Sequence, residues 1–145
     1  NITSINFNAI EIKLFIKSSE IKNKRFGFQL FSKNKDIGFP IIFEPESKSI
    51  LVGSTKASLD FENLYKIENI EITIFIDHFL IEVFINNIQS VVGIYEKFEN
   101  KNQINAYSFN GSFIIEKMLI WKLKKINSGY KKAKKNKIWR VKEKI

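Results

Sequence analysis

Apolar residues recur at every second position through most of this sequence, and that period leaves little room for anything but β-strands. In AIEIKLFIK, Ile10, Ile12, Leu14 and Ile16 fall on one side of an extended chain, while Glu11, Lys13, Phe15 and Lys17 fall on the other. NIEITIFID repeats the pattern with Ile70, Ile72, Ile74 and Ile76, IEVFI with Ile81, Val83 and Ile85, and RFGFQLF with Phe26, Phe28 and Leu30. FPIIF, KSILVG and IQSVVGIY are shorter candidates, and GSFIIEKMLIWKL reads as one long strand whose Leu119, Trp121 and Leu123 share a core face. The intervening KSSEIKNK, SKNKDIG, FEPESKS and FENKNQ carry the residues of turns. No helical period competes before about Ser128. About eight to eleven short strands joined by turns predict an all-β fold, an antiparallel β-sandwich of the jelly-roll or concanavalin-like kind, with a barrel as the lesser option.

A chain of 145 residues has the length of one domain with one core. Its hydrophobic fraction of 44%, with 14 Phe, excludes a disordered polymer, and no apolar run reaches the roughly 18 residues of a membrane-spanning helix. Cysteine is absent, so disulfides and thiolate metal sites are excluded, and the single histidine, His78, cannot build a zinc site alone. No metal or other cofactor is expected. The opening NITSINFNAIEIK shows no charged stretch followed by an apolar one, so a cytoplasmic location is expected, and a piece of a longer protein is too. The net charge of +9 is uneven: Asn1 to Trp121 holds 13 basic against 14 acidic residues, whereas Lys122 to Ile145 holds 11 basic residues against Glu143. The expected division is a sandwich over residues 1–126 and a basic tail over 127–145, a short helix or disordered.

The stretch ITIFIDHFLIEVFINN, Ile72 to Asn87, places Asp77 and Glu82 at the end of one alternating run and the start of the next. A retaining glycosidase needs two carboxyls about 5 Å apart across a sugar. A tight hairpin offers neither the desolvated cleft nor the supporting donors that such a pair requires, so the expected role of both is a turn or cross-strand one. Glu82, inside a strand, is expected to have a fixed partner and to matter more than Asp77, which water can serve. No nucleophile-elbow serine accompanies His78, and no phosphate-binding glycine loop or set of paired metal ligands occurs. Tyr65, Tyr95 and Tyr107 are candidate stacking faces for a sugar. The basic tail with Trp139 is a candidate contact for nucleic acid or an anionic surface.

The second half of the chain resembles the C-terminal β-sandwich domain of glycoside hydrolase family 32, which includes invertases, sucrose-6-phosphate hydrolases, inulinases and levanases. That family places a strand ending in Asp, a short turn, and a strand of the form V-E-V-F-V-N-D-G. Here Asp77, Glu82, Val83, Phe84, Asn86 and Asn87 stand at that spacing, and MLIWKL and RFGFQLF are similar to its last strand and to an early one. Phe79 replaces a common serine, Ile88 replaces the hairpin glycine, and ILVGSTKAS lacks an expected Asp-Arg-Ser. The resemblance implies that Asp77, Glu82, Phe84 and Asn86 are structural hairpin residues. It also implies that the catalytic groups belong to a five-bladed propeller, whose Asn-Asp-Pro-Asn, Arg-Asp-Pro and Glu-Cys motifs do not occur in these residues. The expectation is a module without catalytic residues, in a parent glycosidase acting on sucrose, its phosphate or a fructan. Its expected partners are the propeller, a second copy of itself as a homodimer, or carbohydrate. The other readings are a free-standing glycan-binding sandwich and a binder acting through its basic tail.

Overall fold

The computed structural model describes residues 9–32, 38–96 and 104–123. The strands are β1 (Ala9–Lys17), β2 (Phe26–Leu30), β3 (Phe39–Glu44), β4 (Ser49–Val52), β5 (Thr55–Ser58), β6 (Asn69–Asp77), β7 (Leu80–Ile85), β8 (Gln89–Ile94), β9 (Ile104–Ser108) and β10 (Lys117–Lys122). One five-stranded sheet runs β10-β1-β6-β7-β8 and the other β5-β4-β3-β2-β9. We call them the hairpin sheet and the meander sheet. Every pairing is antiparallel, so the chain forms the β-sandwich that its alternation predicts.

Each alternating run turns its apolar set inward. Ile10, Ile12, Leu14 and Ile16 of β1, Ile70, Ile72, Ile74 and Ile76 of β6, and Ile81, Val83 and Ile85 of β7 are buried, and they share one core with Phe26, Phe28, Ile41, Phe43, Ile50 and Val52 of the meander sheet. At its centre Phe26 and Phe43, register partners on β2 and β3, stack at 4.5 Å, and Phe28 meets both edge-on. Such a cluster combines a large buried area with favourable ring geometry. The sheets approach closely at Gly93 of β8, where a Cβ would lie 2.6 Å from the Phe39 ring and 2.7 Å from the Val52 carbonyl oxygen. Gly27 of β2 has no room for a side chain either, because a Cβ there would overlap the carbonyl oxygen of Ile41.

Two of the four changes of sheet run through single-turn helices, α1 (Ser18–Ile21) between β1 and β2, and α2 (Phe61–Leu64) between β5 and β6. Asp60 caps α2 by accepting from the Asn63 backbone N–H, and Phe61 and Leu64 plug the core. These helices correct the reading of KSSEIKNK as a plain turn and of the chain before Ser128 as free of helix. Four residues are too few to register as a period. The long strand expected from Gly111 is a second correction. Only Lys117–Lys122 pairs with β1, and its Met118 and Ile120 turn toward the core. Strand parity then sends Leu119 and Trp121 outward, so Trp121, 42% exposed, is not a core residue. The segment 127–145 lies outside the described residues, as do residues 124–126 and all of FENKNQ. Among the described residues no helix is long and apolar enough to cross a membrane.

Candidate functional site

The hairpin that carries the carboxylates is built from β6, the two-residue turn His78–Phe79, and β7. His78 adopts φ 52°, the left-handed value a two-residue hairpin turn demands at its first central position. Its Nδ1 donates to Asp77 Oδ1 at 2.7 Å, and both side chains are more than half exposed. At the other end of β7, Asn86 and Asn87 both take positive φ, which asparagine tolerates better than most residues. Asn86 continues the ladder past the strand end: its N–H donates to the Glu71 carbonyl, and its Oδ1 accepts from the Glu71 N–H, both at 2.8 Å. Its buried Nδ2 has no partner among the described residues.

Register decides what Asp77 and Glu82 can do together. Asp77 sits opposite Leu80, and Glu82 sits opposite Phe75, so the two share the outer face but not a cross-strand pair. One row of that face runs across all five strands as Trp121, Glu11, Phe75, Glu82 and Val92. Phe84, two residues beyond Glu82, packs edge-on against Phe75 at 5.7 Å. Glu82 is half-buried in this apolar setting and makes no side-chain hydrogen bond or ion pair among the described residues. The fixed partner expected from its place inside a strand is therefore absent there, because both facing residues, Phe75 and Val92, are apolar. Beside it, Leu80, Val92 and Ile94 are exposed, as are Trp121 and Leu123 at the opposite edge. Solvent-facing sides of antiparallel sheets ordinarily alternate to polar residues, and this part of the face places Leu80, Val92, Ile94, Trp121 and Leu123 there instead. The end of the face nearer α1 is more polar. Lys13 and Glu71 pair at 2.9 Å and Lys17 with Glu116 at 3.1 Å, so the ammonium of each lysine titrates above its ordinary range, mainly through those bonds.

The outer face of the meander sheet carries a different construction. At its end Ser49, Glu44, Arg25 and Phe109 form one row: Glu44 faces Ser49, Arg25 follows opposite Glu44, and the Phe109 N–H donates to the Arg25 carbonyl. Arg25 Nη2 lies 2.9 Å from Glu44 Oε1, and the guanidinium sits 4.1 Å above the Phe109 ring. The other carboxylate oxygen of Glu44 accepts from the Ser47 and Ser49 hydroxyls and lies 3.6 Å from Lys56 Nζ. Burial alone pushes Glu44 up, but the Ser47 hydroxyl and the cations Arg25 and Lys56 outweigh it and hold the carboxyl below its ordinary range. A cleft of about 380 Å³ opens beside this row, lined by Asn23, Arg25, Glu44, Ser47, Phe109 and Asn110 among others.

Each candidate stacking tyrosine is engaged by a different group. Tyr95 lies parallel to Phe31 at 5.1 Å and edge-on to Phe39. The Tyr65 hydroxyl accepts from the Asn23 N–H, and its ring tilts onto Phe61. Tyr107 lies edge-on to Phe109 at 5.3 Å, and burial pushes its phenol above the ordinary range against a smaller opposing pull from Arg25. The aromatic residue that borders the cleft, Phe109, was not singled out in the sequence, and only its neighbour Asn110 and the following Gly111 hinted at a turn there. Among the described residues no three His, Asp or Glu side chains gather to hold a metal ion.

The comparisons agree with this architecture. The chicken galectin-2 structure superimposes with a TM-score of 0.60 at 13% identity, covering 82% of this chain and 95% of that one, a likeness of fold alone. A search of curated proteins finds no match to the sequence. The family model for the C-terminal domain of glycosyl hydrolases family 32 matches residues 2–122, a span that takes in all ten strands. The chain therefore belongs to the C-terminal domain family of the family 32 glycosyl hydrolases.

Proposed function

We propose that the chain is the non-catalytic accessory module of a glycoside hydrolase, and that it stabilises a catalytic propeller domain of the same parent protein by covering part of it with the outer face of the hairpin sheet. The observation that carries this reading is the row Trp121, Glu11, Phe75, Glu82 and Val92, flanked by exposed Leu80, Ile94 and Leu123. A half-buried carboxylate with no partner among the described residues, ringed by apolar side chains, is the composition of an interface waiting for a donor from the other side. The family assignment supports a catalytic partner domain, and a parent reaction on the β-fructofuranosyl bond of sucrose, its phosphate or a fructan fits the same assignment. A cysteine-free chain suits a reducing cytoplasm.

The test is cross-linking mass spectrometry on this chain joined to the catalytic domain encoded with it. Cross-links from Lys13 and Lys117, which lie on the hairpin-sheet face, are expected to reach that domain, while those from Lys56 on the meander sheet are expected to stay within the module. The reverse pattern would reject the docking face. Links between copies of the same module through the hairpin sheet would assign the face to a homodimer instead.

A further inference from the structure

The cleft on the meander sheet is independent of the docking face, and its chemistry is selective. Its lining carries charges of both signs, Arg25 against Glu44 and Glu46, and Lys56 pairs with Glu44 from outside that lining. An anion would meet the carboxylates of Glu44 and Glu46, and a cation would meet the Arg25 guanidinium. A neutral ligand meets neither obstacle. The acceptor capacity of Glu44 is largely taken by Arg25, Ser47, Ser49 and Lys56, so its part is to position Arg25. A guanidinium carries five N–H donors, of which the 2.9 Å contact to Glu44 uses one, and the remainder are held in a plane between the carboxylate and the Phe109 ring. The side chains of Asn23 and Asn110 line the same cleft and make no hydrogen bond among the described residues, which leaves each amide free to donate and to accept. Phe109, 49% exposed, supplies an apolar wall.

We propose that this cleft binds a neutral sugar residue, with the Arg25 guanidinium and the Asn23 and Asn110 amides holding adjacent hydroxyls and Phe109 packing against the C–H side of the ring. Rigid donors, amides that both give and take, and an aromatic wall are what a polyhydroxyl ligand with alternating polar and apolar sides requires. A volume of about 380 Å³ sits at the small end of the roughly 300–1,000 Å³ of small-molecule sites, room for one or two sugar rings. The cleft is open to solvent and its charges are partly screened, so the affinity it supports is weak, in the millimolar range.

The experiment is a nitrogen-15 NMR titration of the full chain with sucrose, inulin and maltotriose in turn, and with inorganic phosphate as an anion control. Shifts confined to Arg25 Nε and the Asn23 and Asn110 side-chain amides, caused by at least one sugar, are the expected result. Phe109→Ala and Arg25→Met should each weaken binding by about tenfold. Glu44→Gln, which removes the charge that positions Arg25, should weaken it with the fold intact, as judged by the unchanged remainder of the spectrum. The wild-type titration alone decides the matter if a variant fails to fold. No shift at these residues with any of the three sugars, shifts located elsewhere, or a stronger response to phosphate than to sugar would each overturn the proposal.

Discussion

The two outer faces of this sandwich rest on the same core and differ in how far their polar groups are satisfied. On the meander sheet, Glu44 gathers Arg25, Lys56, Ser47 and Ser49 within one row and its neighbours, so the buried carboxylate there is satisfied within the chain. On the hairpin sheet, Glu82 likewise points out from a non-edge strand and gathers nothing among the described residues. Both are half-buried glutamates on the outer face of a non-edge strand. The difference lies in the cross-strand neighbours, since Glu44 follows opposite Arg25 and faces Ser49, whereas Glu82 faces Phe75 and Val92. A self-satisfied polar row stabilises the domain that carries it. An unsatisfied one among exposed apolar residues leaves room for a partner beyond the described residues.

Substitutions in the shared core set the upper limit of what either face can do. Phe43→Ala removes the stacked partner of Phe26 and should cost about 3–5 kcal/mol, and Gly93→Val, forced against the Phe39 ring and the Val52 carbonyl, about 1–3 kcal/mol. Urea denaturation should show a single transition for both variants, moved to lower midpoint. Two separate transitions would mean that the sheets do not share one core.

Glu44→Gln should cost about 1 kcal/mol, a figure already reduced for the partial exposure of Arg25 and Lys56. Its signature is pH dependence. The folded-state titration of Glu44 is depressed below its ordinary 4.5, so the stability it contributes is fully present above that value and is lost as pH falls through the lower folded one. Melting temperature measured between neutrality and about pH 3 should therefore fall more steeply for the wild type than for the variant. Parallel curves would remove Glu44 from the acid response.

On the hairpin sheet the same kinds of change should leave stability nearly alone and alter association. Leu80→Lys with Val92→Lys should shift stability by no more than roughly 0.5 kcal/mol each, because both side chains are exposed, while reducing self-association in sedimentation velocity. A wild-type chain that sediments as a monomer at every accessible concentration would weaken the contrast between the faces. Smallest of all are Glu82→Gln and Asp77→Asn. Glu82 has no partner to lose among the described residues, and Asp77 loses only an exposed bond to His78, so neither should move the melting temperature beyond measurement error. Neither should affect sugar release, since the isolated chain is expected to release no fructose from sucrose or inulin. Turnover abolished by Glu82→Gln in a stable protein would turn the hairpin into an active site.

What could be read in the sequence followed from local repetition. The inward sets of β1, β6 and β7 and the hairpin spacing from Asp77 to Asn87 are periodic, and periodicity survives folding unchanged. β5, with the sequence TKAS, and β9, with INAYS, were missed because both lie at sheet edges and carry too few buried residues to alternate. Trp121 was placed inside because parity was counted from a strand assumed to begin too early. The two outer faces were beyond local reading. Arg25 and Phe109 are brought together only by β9 returning to pair with β2, and whether Glu82 has a partner depends on a register shared with β6 and β8. Each fact depends on residues far apart in the chain.

One pairing has a bearing on how the domain comes to be made. β1 is the inner neighbour of β6 and of β10, so Ile12 must find Ile74 on one side and Ile120 on the other. A strand made early in the domain thus stays open along one edge until residues about a hundred positions later have emerged, and closing such distant contacts makes folding slow. During synthesis the bare edge of β1 is a template for wrong pairing, and it remains one until β10 covers it. A nascent chain stalled before Lys117 would therefore carry a nearly complete hydrophobic interior beside an unprotected strand, the state in which a ribosome-associated chaperone has the most to bind.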